Sequence, residues 1–89
     1  MTRFVVVHVT SGFTRAFKKL PGRIQRLAVR KDEQFQHNPF SSQLETHKLK
    51  GELVGFWSYS VNDAYRVLFR FIADTVVLYY DIGTHDIYR

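Results

Sequence analysis

Between Phe56 and Ile82 the chain reads FWSYSV, YRVLFRFI and TVVLYYDI. These three runs are rich in β-branched and aromatic residues and are separated only by Asn62-Asp63-Ala64 and Ala73-Asp74. A crossover to a parallel neighbour takes a dozen or more residues, so connections this short force an antiparallel meander of three strands. The short loop also sets a register. With Asn62, Asp63 and Ala64 in the turn, Val61 faces Tyr65 and Ser60 faces Arg66. Period-two alternation then puts Trp57, Tyr59, Val61, Tyr65, Val67, Phe69 and Phe71 on one side. That side is apolar and belongs to the core. Ser58, Ser60, Arg66, Leu68 and Arg70 fall on the other side, which is half polar and expected to be open to a ligand.

The first half of the chain has a different period. Residues 3–10, RFVVVHVT, form one more β-rich run. Ser11 then offers an N-cap, and Phe13, Phe17 and Leu20 recur at helical spacing. Pro21-Gly22 ends that helix and permits a second, in which Ile24, Leu27, Ala28, Lys31 and Phe35 share a face before Asn38-Pro39 closes it. The expected fold is α+β, a single domain over residues 1–89 in the order β-α-α-β-β-β. A four-stranded, mainly antiparallel sheet carries an antiparallel helical hairpin on one face.

With 89 residues there is room for one hydrophobic core, and the 16% aromatic content supplies the large buried areas it needs. No stretch approaches the roughly 20 apolar residues of a membrane span, and residues 4–9 lack the layout of a secretion signal, so a cytoplasmic protein is expected. Without cysteine there are no disulfides and no thiolate chemistry. The four histidines are not spaced as metal ligands, and neither a metal nor another cofactor is expected.

Charge is unevenly spread. Residues 1–31 contain Arg3, Arg15, Lys18, Lys19, Arg23, Arg26, Arg30 and Lys31 and no acid, although the net charge of the whole chain is only +5. Such a segment suits a polyanion or an acidic protein segment; nucleic acid is favoured, with Lys18, Lys19, Arg23, Arg26 and Arg30 gripping phosphates through charge rather than reading sequence. A second polar set lies elsewhere: His47, Lys48 and Lys50 in a loop ahead of the meander, Ser58, Ser60, Arg66 and Arg70 on its polar side, and His85, Tyr88 and Arg89 at the C-terminus. His8 and His37 join no such group and are assigned to the surface.

The segment HKLKGELVGFWSYSVNDAYRVLF, followed by a terminal IGTHDIYR, resembles the RelE/ParE superfamily of toxins from toxin–antitoxin modules. Within it the chain is similar to the RelE-type mRNA endonucleases such as YafQ and YoeB. The resemblance implies a ribosome-dependent mRNA interferase that cuts mRNA to leave a 2′,3′-cyclic phosphate and is neutralised by a cognate antitoxin protein. It also implies roles by position. His47 matches the loop histidine of the YafQ-like branch, His85 its C-terminal catalytic histidine, and Arg66 the arginine of the "YR" strand. Tyr88 lies one position from the family's terminal aromatic. Where the RelE branch proper carries two lysines, this chain has Ser58 and Ser60. The YafQ-like branch has a strand histidine at Ser60 and an acid at Ala64, with Asp63 one position away, and Asp81 stands where an arginine is expected before GTH.

The residue chemistry is compatible with RNA transesterification, which needs a base for the 2′-OH, an acid for the leaving 5′-oxygen and a cation on the phosphorane. Imidazole suits both proton transfers, because histidine as a type titrates near neutral pH. The guanidinium of Arg66 offers a fork of donors to phosphate oxygens, Lys48 and Lys50 add point charge, and Tyr88 could stack on a base or steer a proton. The expected roles are general acid for His85, general base for His47 and phosphate clamp for Arg66, with Lys48, Lys50, Ser58, Ser60, Arg70 and Arg89 as further RNA contacts. Two alternatives use the same fold without catalysis: a ParE-like inhibitor of DNA gyrase, and a non-catalytic RNA-binding module built on the basic helices. In each case an antitoxin is the expected partner; the endonuclease adds the ribosome with its rRNA and mRNA.

Overall fold

The computed structural model describes residues 4–88. Strand β1 (Val6–Val9) leads into helix α1 (Ser11–Lys18) and helix α2 (Gly22–His37), and four further strands follow. These are β2 (His47–Lys48), β3 (Trp57–Ser60), β4 (Arg66–Ala73) and β5 (Val76–Gly83). Short 3-10 turns occupy Ser42–Leu44, Gly51–Leu53 and His85–Tyr88. The sheet order is β1-β5-β4-β3-β2, with β1 parallel to β5 and all other pairs antiparallel.

The sheet therefore has five strands, not the four expected. The extra strand is His47–Lys48, which pairs with β3 through His47↔Ser58 and Lys48↔Trp57. Two paired residues with no apolar alternation leave no period to detect. The meander itself follows the expected register: Ser60 pairs with Arg66, and the Val61 amide donates to the Tyr65 carbonyl at 2.9 Å. A bulge opposite Leu68 and Phe69 inserts Tyr80 into β5, so Leu68 pairs with Asp81 but Phe69 with Tyr79.

Helix α1 is capped one residue earlier than expected. The Thr10 hydroxyl accepts from the Phe13 amide at 3.0 Å and donates to the Tyr80 carbonyl at 3.1 Å. Thr10 thus satisfies an open helix donor while tying the helix start to β5. Helix α2 buries Ile24, Ala28 and Phe35, and the Gln25 amide holds the end of α1 by donating to the Phe17 carbonyl at 3.0 Å. Arg23, Arg26 and Arg30 of α2, and Lys18 and Lys19 at the end of α1, lie on the solvent side of the hairpin.

The core lies between these helices and the apolar side of the meander. Phe35 is fully buried, with ring centroids 4.7 Å from Tyr59, 4.9 Å from Phe69 and 5.7 Å from Tyr79. Two tyrosine hydroxyls enter this apolar layer as a relay: Tyr59 donates to Tyr79 at 3.0 Å, and Tyr79 donates to the Asp32 carboxylate of α2 at 2.8 Å. No buried side-chain polar atom among the described residues is left without a partner.

Candidate functional site

The site is built on the polar side of β3 and β4. His47, Ser58, Leu68 and Asp81 form one row across four strands, and Ser60, Arg66 and Gly83 form the next. Paired residues project to the same side of a sheet, so His47, Ser58, Ser60 and Arg66 share one face. By ordinary sheet spacings the Cα atoms of His47 and Arg66 lie about 12 Å apart, two strands and one row removed. Two long side chains from such positions can close on one phosphodiester.

This face is not open along its whole length. After Gly83 the chain turns at Thr84, and the His85–Tyr88 segment packs back on β4 and β5. The Tyr88 hydroxyl reaches the Ser58 hydroxyl at 2.6 Å, and the Tyr88 ring lies 6.2 Å from that of His85. Ile87 is buried and presses on Gly83, where an added Cβ would meet its Cγ2 at 2.9 Å. The C-terminal residues up to Tyr88 are thereby anchored. Ser58 and Ser60 are buried, so they are not the exposed RNA contacts that alternation alone suggested.

The other flank is held by Glu45. Among the described residues it is the one non-glycine with positive φ, at 53°. That backbone turns its carbonyl to His47 Nδ1, 2.8 Å away, while its carboxylate accepts from the Ser60 hydroxyl at 3.0 Å. A carbonyl oxygen can only accept, so Nδ1 carries the proton and the neutral ring keeps Nε2 as its acceptor. Nothing in the sequence marks Glu45 for this role. A left-handed backbone at a glutamate has no residue signature, and the Ser60 contact spans 15 positions.

Arg66 is half-buried. Its Nη1 donates to the Asn62 carbonyl and, at 3.2 Å, to the Tyr65 carbonyl. The arginine is thus oriented by its own β-turn, not by a salt bridge to Asp63 or Asp81. The Asn62 side chain accepts from the Ala64 and Tyr65 amides at 2.9 and 2.8 Å and fixes that turn.

The remaining candidates lie away from this centre. Lys48 alternates to the opposite side from His47 and lies 5.4 Å over the Trp57 ring, so it adds no charge beside the histidine. Lys50 is exposed just before Gly51, which opens the 3-10 turn with φ of 69°, and Gly55 follows that turn with φ of 93°. Arg70 shares the Arg66 side and lies 5.4 Å from the Phe56 ring, which in turn meets Tyr80 at 5.0 Å. Sequence alternation put Arg70 there but gave no sign of the two rings. His37 bonds the Glu33 carbonyl of its own helix at 2.9 Å, and His8 lies exposed on β1. Arg3 and Arg89 lie outside the described residues. Among the described residues no group of three or more His, Asp or Glu could hold a metal ion, and no helix is long and apolar enough to cross a membrane.

This architecture recurs in solved toxin structures. A chain of the RelBE2 toxin–antitoxin complex of Mycobacterium tuberculosis is 27% identical over 96% of this chain and 94% of its own, with a TM-score of 0.77. YafQ of E. coli is 12% identical over 94% and 97%, with a TM-score of 0.74. A YoeB/ParE toxin of Agrobacterium tumefaciens is 16% identical over 89% and 96%, with a TM-score of 0.73. No family model and no curated protein matches the sequence. The fold class is that of a small toxin domain. The fold is that of the RelE/ParE superfamily of toxins.

Proposed function

We propose that this chain is the toxin of a type II toxin–antitoxin module and acts as a ribosome-dependent mRNA endonuclease. His47 takes the proton from a ribose 2′-OH, whose oxygen attacks the adjacent phosphorus. The bond from phosphorus to the 5′-oxygen breaks, and His85 supplies the proton that the leaving oxygen needs. The products are a 2′,3′-cyclic phosphate and a 5′-hydroxyl. Arg66 stabilises the charge that builds on the phosphorane. Tyr88, held at Ser58, borders the same space.

One relationship carries this reading. Ser58 is the cross-strand partner of His47 and the hydrogen-bond partner of Tyr88, so a single β3 residue joins the loop histidine to the segment that bears His85. The exposed bases of α1 and α2 suit rRNA phosphates. The partner is a cognate antitoxin, as in the RelBE2 complex. Its acidic or amphipathic segment would cover the basic surface.

Programmed ribosomes test the assignment. Primer extension on translated mRNA should give codon-phased cuts ending in a cyclic phosphate, lost in His85→Ala. Gyrase-linked DNA breaks with intact mRNA would instead identify a gyrase inhibitor, and salt-dependent binding without cuts a binding module.

A further inference from the structure

The buried polar residues among those described are Ser58 and Ser60, two positions apart on β3, and both hydroxyls are engaged by segments that bear a candidate histidine. We infer that this serine pair is a double clamp: Ser60 holds Glu45 and through it fixes the tautomer of His47, while Ser58 holds Tyr88 and through it the segment carrying His85. The inference rests on the endonuclease reading for its effect on rate, but not for its effect on structure. It assigns a positioning role to Glu45, and it turns the two serines from RNA contacts into supports.

Buried polar groups cost stability unless bonded, so a serine side chain under a covering segment is retained with a partner or not at all. Each of these has one. The Glu45 backbone is the second observation. A left-handed backbone is unfavourable at a glutamate and persists only where its surroundings hold it. What holds it is visible: the carboxylate on the Ser60 hydroxyl, and the carbonyl on His47 Nδ1. Released from Ser60, the Glu45 backbone can relax to negative φ, and the carbonyl then leaves Nδ1. The ring is free to exchange its proton to Nε2, which removes the acceptor that a general base requires.

Ser58 acts on the opposite flank. The Ile87 amide bonds the Thr84 carbonyl at 3.1 Å, which closes the 3-10 turn locally, and the Tyr88 hydroxyl ties that turn across to β3. A general acid must be held to within a fraction of an ångström, and a shift of 1 Å can cost about 100-fold in rate.

Two readouts test the clamp in the purified full chain. Nitrogen-15 NMR of the imidazoles should find His47 protonated at Nδ1 in the wild type and mixed between tautomers in Ser60→Ala. Glu45→Ala deletes the carboxylate yet keeps the Cβ that disfavours positive φ, and it should give the same mixing if Ser60→Ala does not fold. Unchanged His47 tautomers in a folded variant overturn the Ser60 arm. For the other arm, Ser58→Ala and Tyr88→Phe should each lower kcat on programmed ribosomes by about 10- to 100-fold with KM within about twofold, and the double variant should lose little more. Additive losses, or a wild-type rate in Ser58→Ala, overturn it. A wild type that cuts no RNA removes the endonuclease reading alone. The clamp is then decided by the His47 tautomers, and by loss of Ile87 amide protection in Ser58→Ala, where full protection overturns it.

Discussion

Tyr79 of β5 donates a hydrogen bond from its hydroxyl to Asp32 of α2 across 2.8 Å and 47 positions of sequence, inside a core of aromatic and aliphatic side chains. Tyr59 donates in turn to Tyr79. Burial pushes both phenols far above the usual tyrosine range, and the nearby Asp32 carboxylate pushes the same way. An unfolded tyrosine ionises near pH 10, so both groups stabilise the fold in full below that pH. As pH rises past about 10 the unfolded chain loses protons that the folded one keeps, and stability falls by up to about 1.4 kcal/mol per pH unit for each tyrosine. Urea titrations from pH 8 to 11.5 should show this decline, with a shallower slope in Tyr79→Phe. At neutral pH that variant should cost about 1–2 kcal/mol, because Asp32 loses one donor and keeps Gln36 Nε2 at 2.8 Å.

Phe35 touches three other rings at once and has no exposed surface. Phe35→Ala should cost about 3–5 kcal/mol, a large share of the roughly 5–15 kcal/mol typical of a domain, and Phe35→Leu distinctly less. Chemical denaturation midpoints at fixed m-value measure both. Equal losses would show that the site collapses around the truncation.

What the sequence could reveal follows from range. The meander register and its two faces were legible because short loops and alternation act between near neighbours: Val61 against Tyr65, Ser60 against Arg66. The helical stripe from Ile24 to Phe35 is local in the same way. Strand β2 escaped detection because His47 and Lys48 owe their conformation to β3, not to their own type. The polar face looked open because alternation cannot show that residues 85–88 return to cover it, and the Tyr88–Ser58 bond spans 30 positions. Lys48 looked like a neighbour of His47 in function because it is one in sequence, yet adjacent strand residues point to opposite sides.

The helical bases should act by charge alone. Arg23 and Arg26 are remote in sequence from the sheet site and lie on the outer side of α2. Replacing both with Gln should weaken ribosome binding at every salt concentration and reduce the slope of log K against log[salt] by about 0.7–0.9 for each phosphate left unneutralised. Single-turnover cleavage at saturating toxin should change little. Filter binding from low to high salt gives the slope, and an unaltered slope would exclude these two residues from the RNA surface.

Arg66 should tolerate lysine poorly, although both carry one positive charge. Its Nη1 is already given to the carbonyls of the Asn62–Tyr65 turn, which leaves Nε and Nη2 of a fixed planar fork for phosphate oxygens. An ammonium has one nitrogen, so it can satisfy the turn or the phosphate but cannot span both. Arg66→Lys should therefore lower kcat by about 100-fold or more with a small change in KM, as expected when an interaction is made chiefly in the transition state. Asn62→Ala should reproduce a weaker version of the same loss, because it frees the turn that aims the guanidinium. Single-turnover rates on programmed ribosomes separate the outcomes. If Arg66→Lys cuts at the wild-type rate, the residue supplies only charge and the bidentate clamp is wrong.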